Sequence, residues 1–269
     1  MDTQSTQSED ILIKVRGLRN QFGSHVVHDR LDLDVRRGEI LGVVGGSGSS
    51  KSVLLRSIVG LQRPTEGTIQ VNSRDVLNLN EKEKIRQRRQ WGVMFQSGAL
   101  FSSLTVTENV QVPLREYFKD MPQSLMDEIA AYKIAMTGLP PQAGANYPAE
   151  LSGGMKKRAG LARSLVLDPD ILFLDEPTAG LDPIGAAAFD ELIVRLKQAL
   201  GLTVFLVTHD LDTLHAVCDR IAVLADKRVL VVGTMADMLA YKHPWVEEYF
   251  HGPRARAAAD TAGHTAKSG

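Results

Sequence analysis

A glycine-rich segment that ends in lysine and serine contains the residue types that bind phosphate. Residues 45–52 read GGSGSSKS and follow the apolar run EILGVV. The pattern approaches Gly-x-x-x-x-Gly-Lys-[Ser/Thr], in which backbone N–H groups surround the phosphates, the lysine bridges two of them and the hydroxyl binds Mg²⁺. A glycine- and serine-rich turn without a ligand is the alternative. The predicted phosphate-binding residues are Gly45, Gly46, Ser47, Gly48, Ser49, Ser50, Lys51, Ser52 and Val53.

Two acidic residues follow a second apolar run, ILFLDE at 171–176. Asp175 and Glu176 are expected at the carboxyl end of a buried strand, where open α/β sheets bind ligands. Asp175 can hold Mg²⁺ directly or through water, and Glu176 can act as general base for an attacking water. Two acids at the end of a strand are also a common ending without a function.

Three further polar features lie at predicted helix or strand ends. In LSGGMKKR, residues 151–158, Ser152 is a predicted N-cap before Gly153 and Gly154. This bare helix N-terminus can bind an anion or can be a plain capped start. Gln96 follows the predicted strand WGVMF, and His209 ends LTVFLVTH. Taken alone, a glutamine or histidine at such a position is an ordinary loop residue.

Alternating strands and helices would bring these strand ends to one edge of a sheet. Helical spacing predicts helices from Lys51 to 61, over about 97–166 and between the runs 170–176 and 202–209. A short amphipathic helix is predicted at 243–250, which either docks on another chain or is a solvated end. This order predicts an α/β fold with a parallel sheet covered on both faces, between a disordered lead at 1–10 and a disordered tail within 243–269. The predicted strands are 11–15, 31–35, 39–45, 67–71, 91–95, 170–176, 202–209, 220–226 and an antiparallel 228–234.

Composition limits the class of protein. Lys plus Arg is 31 and Asp plus Glu is 32 in 269 residues, so the chain lacks a basic footprint and no nucleic-acid partner is expected. A single cysteine, Cys218, excludes an internal disulfide framework and fits a reducing compartment. The polar, acidic start is not that of a secretory signal. Because the apolar runs are far shorter than the ~20 residues that cross a bilayer, a role at a membrane requires a partner.

Five motifs together resemble those of ABC-type ATPase subunits over roughly residues 11–240. They are GGSGSSKS, FQSG, LSGGM, ILFLDEPTAGLDP and TH, in this order. The resemblance implies an ATPase domain at 11–242 with a RecA-like parallel-sheet core, a small antiparallel β-subdomain and an inserted helical subdomain at about 97–166. It also implies ATP and Mg²⁺ as ligands, and a head-to-tail pair of chains with two ATP molecules between them.

The same resemblance implies roles for single residues within one ATP site. Phe22 matches the aromatic residue that stacks on adenine, with a buried core phenylalanine as the alternative. Gln96 matches the glutamine that contacts Mg²⁺ or water and relays to the transmembrane partner, and His209 matches the switch histidine at the γ-phosphate. The implied catalytic residues are Lys51, Gln96, Glu176 and His209, and the implied Mg²⁺ ligands are Ser52, Gln96 and Asp175.

Other residues are implied to act on the ATP of the second chain. Ser152, Gly153 and Gly154 resemble the signature that reaches the γ-phosphate held by the neighbouring subunit. Asp182, in AGLDP, matches the aspartate that communicates across the dimer. No single chain would then hold a complete site.

Position 50 departs from the family pattern, because it holds serine where the pattern has glycine. Glycine lets the backbone approach the phosphates closely and relieves a tight turn. The Cβ and hydroxyl of Ser50 would crowd the β-phosphate, unless the side chain points away or hydrogen-bonds to it. We therefore expect weakened ATP binding or turnover in an intact fold.

A narrower similarity is to the lipid-transport ATPases associated with Mce-domain proteins, of the maintenance-of-lipid-asymmetry type. The segments that carry it are QSGALFSSLTVTENVQVPLRE, LSGGMKKRAGLARSL and PTAGLDPI. That group implies an ATPase under a permease, at the cytoplasmic face of the inner membrane, that powers transport of phospholipid or another hydrophobic substrate across the Gram-negative envelope. Its implied further partners are a periplasmic Mce-domain protein and, in some systems, a small STAS-domain protein.

Two other functions remain as alternatives. One is a soluble ABC-type ATPase that acts on ribosomes or DNA repair complexes; the single set of motifs and the near-neutral charge argue against it. The other is a regulatory nucleotide-binding subunit whose hydrolysis is impaired by Ser50. The presence of Glu176 and His209 argues against a fully inactive site.

Overall fold

Two β-sheets form the framework of the chain, as seen in a computed structural model that describes residues 10–46, 51–96 and 98–252. The smaller sheet is antiparallel, with strand order β2-β1-β4-β5. Its strands are β1 (Ile11–Phe22), β2 (His25–Arg36), β4 (Glu66–Val71) and β5 (Arg74–Asp75). The larger sheet contains β3 (Ile40–Gly45), β6 (Trp91–Met94), β7 (Ile171–Asp175), β8 (Thr203–Val207), β9 (Arg220–Ala225) and β10 (Arg228–Gly233).

The larger sheet has the order β10-β9-β3-β8-β7-β6, and its neighbouring strands are parallel except for the pair β10–β9. Every residue of β3, β7 and β8 is buried. This follows from their nearly continuous apolar sequences, because strands at the centre of a parallel sheet are covered on both faces. The predicted parallel sheet with a last antiparallel strand is therefore confirmed.

Helices cover both faces of this sheet. Leu54 and Ile58 of the first helix join the antiparallel sheet in one apolar cluster, while Phe189 and Ile193 of a later helix pack on the opposite face. The helices are α1 (Lys51–Ile58), α2 (Glu81–Arg88), α3 (Val106–Tyr117), α4 (Gln123–Met136), α5 (Gly153–Ser164), α6 (Pro183–Leu200), α7 (Leu211–Val217), α8 (Met235–Ala240) and α9 (Pro244–His251), with 3-10 turns at Pro141–Ala145 and Pro148–Glu150.

The range 97–166, for which the sequence predicts a helical insertion, contains α3, α4 and α5. These helices share an apolar cluster that includes Val110, Ile134 and Ala159. Near its end α5 packs in two directions, because Ala162 remains in this cluster while Leu161 packs on the large sheet. Helix α5 therefore connects the helical region to the strands that carry the predicted acids.

Several elements differ from the sequence prediction. Strands β1 and β2 are more than twice as long as the runs 11–15 and 31–35, because pairing continues through register shifts around Gly17, whose φ is +58°. The short strand β5 and the helices α2, α7 and α8 were not predicted. Residues 1–9 and 253–269, predicted to be disordered, lie outside the described residues. Asp10, the last residue of the lead predicted to be disordered, is described, and its carboxylate accepts a hydrogen bond from Arg37 Nε at 2.7 Å.

Helix α9 is where the sequence predicts a short amphipathic helix. The sequence left open whether this segment is solvated or docks on a second chain. In the structure its apolar side chains Val246 and Phe250 are buried against their own chain, so the segment is not a solvated end. None of the helices in the described part of the chain has the length and apolar character needed to span a membrane.

Candidate active site

The glycine-rich segment lies between a central strand and a helix, as the motif requires. Strand β3 ends at Gly45 and α1 begins at Lys51, whose ammonium group donates a hydrogen bond to the Gly45 carbonyl oxygen at 2.8 Å. Burial lowers the pKa of Lys51, and the charges of Glu176 and Asp175 oppose this shift. The predictions for Ser47, Gly48, Ser49 and Ser50 lie outside the described residues.

Two of the predicted Mg²⁺ ligands lie side by side. The Ser52 hydroxyl donates to Asp175 Oδ1 at 2.9 Å, and Asp175 is 6% exposed at the carboxyl end of β7. A hydroxyl and a carboxylate at this separation are the hard oxygen donors that Mg²⁺ prefers, so these two residues fit the ion. Gln96 follows β6, is exposed, and accepts a hydrogen bond through its backbone carbonyl.

The predicted general base and the predicted switch histidine are in direct contact. His209 Nδ1 lies 2.7 Å from Glu176 Oε2, although 33 positions separate the two residues. Their proximity follows from the sheet order, because β8 pairs with β7 and the Glu176 N–H donates to the Val207 carbonyl at 2.8 Å. Glu176 has a φ of +52°, a left-handed conformation that is uncommon for a non-glycine residue.

Phe22 lies at the end of β1 and is 45% exposed. The alternative that it is a buried core residue is therefore wrong. An exposed ring next to the hairpin turn at Gly23 is free to stack on a planar ligand.

Packing against the described residues does not account for the two glycines that open α5. Ser152 is the N-cap of α5 and accepts a hydrogen bond from Met155 N, and a Cβ on Gly153 or Gly154 would come no closer to another group than about 4 Å from Leu181. The surface at this helix N-terminus is therefore open to a group from outside the chain. Asp182 is the N-cap of α6, where its carboxylate accepts a hydrogen bond from Gly185 N at 2.9 Å.

Comparisons with known proteins decide the family. The model of the ABC transporter family matches residues 28–179, which is more than half of the chain. The chain belongs to this family. It is accordingly an ABC transporter ATPase subunit that uses ATP with Mg²⁺, as the sequence predicted.

Two curated relatives are each 38% identical to this ABC protein. One is the probable ribonucleotide transport ATP-binding protein mkl of Mycobacterium leprae, with 91% of this chain and 70% of the relative covered. The other is the intermembrane phospholipid transport system ATP-binding protein MlaF of Haemophilus influenzae, with 90% of both chains covered. Among solved structures, the dimeric ATP-binding cassette MJ0796, in a post-hydrolysis state bound to ADP and Pi, is similar with a TM-score of 0.76 and 29% identity over 82% of this chain and 98% of that one. The predicted ABC-type α/β fold is confirmed.

One residue of the ABC site was missed by sequence reasoning. Lys157 of α5 is 6% exposed, and its ammonium group donates to the Gln96 carbonyl and to the Glu176 carbonyl, the latter at 3.2 Å. Burial lowers the pKa of Lys157, against the opposing charges of Glu176 and Asp175. This lysine therefore joins α5 to the loop after β6 that contains Gln96 (the glutamine loop), and to the end of β7, the acid-bearing strand.

The same face of α5 holds the glutamine loop at two further points. A Cβ on Gly160 would lie 3.2 Å from Gly98 Cα, so glycine permits close packing there. One helical turn further, Arg163 donates to the Gly98 and Ala99 carbonyls, both at 2.8 Å. The spacing 157, 160, 163 on a helix was the only sequence signal for this contact, because backbone carbonyls are present in every residue.

Proposed function

We propose that this chain is the ATPase of a transporter that moves phospholipid or another hydrophobic substrate across the Gram-negative cell envelope. The observation that carries the proposal is the similarity to MlaF, which extends over nine tenths of both chains. The mkl protein has the same sequence identity to this chain, but the match covers only 70% of its length. The sequence marks SGALF and LSGGM point to the same group. Transport of ribonucleotides is one competing candidate, and it rests on the printed name of the mkl protein. Methionine import is another, and it rests on the printed name of the MetN protein of Sodalis glossinidius, which is 40% identical over 80% of this chain and 61% of that protein.

The contacts in the site support a separate role for each residue in ATP hydrolysis. In this proposal Lys51 would hold the β- and γ-phosphates, and Ser52 and Asp175 would hold Mg²⁺, with Gln96 as a third ligand. Bound Mg²⁺ supplies charge neutralisation at the phosphate oxygens during phosphoryl transfer.

Glu176 accepts the proton of the attacking water as the bond between the γ-phosphorus and the bridging oxygen breaks. The Glu176 carboxylate can accept the hydrogen on His209 Nδ1, and His209 would bind a γ-phosphate oxygen through a second hydrogen on Nε2. The contact therefore holds Glu176, the general base, next to His209, the residue that would bind the γ-phosphate.

The open N-terminus of α5 supports a site completed by a second copy of this chain. Gly153 and Gly154 leave room for an incoming phosphate, and the helix N-terminus favours an anion. In this arrangement Ser152, Gly153 and Gly154 contact the γ-phosphate held by the partner, and Asp182 lies at the contact between the chains. ATP binding closes the pair and hydrolysis opens it.

The remaining partners follow from the lipid-transport proposal. A membrane permease would receive the movement through the loop after Gln96, at the cytoplasmic face of the inner membrane. A periplasmic Mce-domain protein, and in some systems a small STAS-domain protein, would complete the assembly. Residues 97–166 are proposed as the inserted helical subdomain that makes the permease contact.

Purification of the tagged chain from solubilised membranes of its native source tests this proposal. We expect a permease, an Mce-domain protein and bound phospholipid, identified by mass spectrometry. In vesicles of phosphatidylethanolamine and phosphatidylglycerol, the wild-type complex should move labelled phospholipid with Mg-ATP, and the Glu176→Gln complex should not. Movement of ribonucleotides but not of phospholipid would overturn the proposal, as would recovery of ribosomal or DNA repair proteins in place of a permease.

A further inference from the structure

Helix α9, the last helix of the described residues, packs beside the ATPase site of its own chain. Its apolar residues Val246 and Phe250 are almost fully buried in a cluster that contains Val44 and Leu214. Val44 directly precedes the phosphate-binding turn, and Leu214 belongs to α7, the helix that follows His209. Helix α9 therefore lies against β3, which leads into the phosphate-binding turn. It also lies against α7, which follows the loop that carries His209 (the histidine loop).

The first polar contact of α9 is with the histidine loop. The Tyr249 hydroxyl donates to the His209 carbonyl oxygen at 2.7 Å. His209 is thus held at two points, by Tyr249 at its backbone and by Glu176 at its imidazole. Burial raises the pKa of Tyr249, with further contributions from Asp210 and Glu176, so its hydroxyl keeps the proton that it donates.

The second contact is with the phosphate-binding turn. A Cβ on Gly46 would lie 3.1 Å from Trp245 Nε1, closer than such contacts normally are. The phosphate-binding pattern does not require glycine at this position, so the Trp245 ring explains it. Trp245 also stacks on Tyr249, with ring centroids 4.8 Å apart and planes 14° apart, which joins the two contacts into one unit.

We propose that α9 is a positioning element of the ATPase site, in which Tyr249 fixes the backbone of His209 and Trp245 supports the turn at Gly46. This inference rests on the role proposed for His209. Tyr249 does not touch the reacting atoms; it acts through the position of His209 relative to Glu176.

Steady-state Mg-ATP hydrolysis by the full-length Tyr249→Phe variant tests the inference. The substitution keeps the stacked ring and removes one neutral hydrogen bond, so we expect kcat to fall by about three- to tenfold. We expect KM for ATP to stay within about twofold, since the phosphate-binding residues are unchanged. Tyr241→Phe is the matched control, because the Tyr241 hydroxyl donates to the Leu230 carbonyl, outside the site, and both constants should stay at wild-type values.

Three outcomes distinguish failure of the role proposed for His209 from failure of the role proposed for α9. If His209→Ala retains wild-type turnover, the role proposed for His209 fails and the inference fails with it. If His209→Ala loses turnover but Tyr249→Phe does not, only the role of α9 is overturned. A kcat that falls equally in Tyr249→Phe and Tyr241→Phe also overturns it, because a general loss of stability would then explain both.

Trp245 provides an independent spectroscopic test. The chain has two tryptophans, so Trp91→Phe leaves Trp245 as the single reporter. We expect its emission to change as Mg-ATP fills the phosphate-binding turn, with the same half-saturation as binding measured by calorimetry. Emission that does not respond to saturating Mg-ATP would overturn the role of Trp245.

Discussion

Replacing Lys157 by methionine removes the contact that joins α5 to both the glutamine loop and the acid-bearing strand. Methionine keeps a long unbranched side chain in this buried position, with sulfur in place of the Cδ methylene, and lacks the ammonium group. The carbonyl oxygens of Gln96 and Glu176 both lose a charged donor. Glu176 then keeps its left-handed φ of +52° without the bond that holds its carbonyl to α5.

The size of the effect follows from two opposing contributions. A hydrogen bond from a charged group contributes about 1.5–3 kcal/mol, and two are lost. Burial of the ammonium group opposes this, as the lowered pKa of Lys157 shows, and methionine removes that cost. We expect the free energy of unfolding to fall by about 1–3 kcal/mol, and Tm by roughly 2–10 °C. We expect kcat to fall about 10- to 100-fold, because small displacements of a catalytic group have effects of this size.

Urea unfolding and Mg-ATP turnover of the same preparations measure both quantities. Lys156→Met is the matched control, since it makes the same change at the neighbouring, less buried residue. Lys157→Arg should recover part of the turnover, because it restores a charged donor with a different shape. Turnover of Lys157→Met equal to that of Lys156→Met would show that Lys157 does not position Glu176.

Three further predictions concern other parts of the chain. Burial raises the pKa of Asp190 to about 7 from its usual 3.8, although Thr213 donates to it, so the folded state holds this proton where the unfolded state has lost it. Stability should therefore fall as pH rises from about 4 to 7, by on the order of 4 kcal/mol, and Asp190→Asn should remove this fall in urea titrations at each pH. Ser50→Gly should tighten ATP binding measured by calorimetry, and the steric reasoning is wrong if serine binds ATP at least as well. Phe22→Ala should raise KM for ATP roughly 5- to 150-fold and leave kcat and Tm near wild type, whereas an unchanged KM would remove Phe22 from base stacking.

The central strands were predictable because their sequences are apolar at nearly every position. Strands β3, β7 and β8 lie within the predicted runs. The long hairpin of β1 and β2 was predicted too short, since Gly17 and polar residues interrupt the alternation while pairing continues through register shifts. Local pattern therefore predicts strands that are buried on both faces better than strands with irregular pairing.

Site residues were predictable where the sequence motif itself places them. Lys51 and Ser52 begin a helix after a glycine-rich turn, and Asp175 and Glu176 end an apolar strand. The contact of Glu176 with His209 depends on the pairing of β7 with β8, which the sequence did not predict; the family resemblance implied only a separate role for each residue. Lys157 and Tyr249 escaped prediction because both donate to backbone carbonyls, which carry no residue-specific signal.

The assignment of Glu176 as the general base is the central claim about the chemistry of this site. The most direct test is to measure binding and single-turnover hydrolysis of γ-labelled Mg-ATP by Glu176→Gln, which replaces the carboxylate by an amide of the same shape. We predict that ATP affinity stays within a few-fold of wild type while hydrolysis falls by at least about 100-fold, the usual contribution of a general base. Hydrolysis by Glu176→Gln at the wild-type rate would contradict the account.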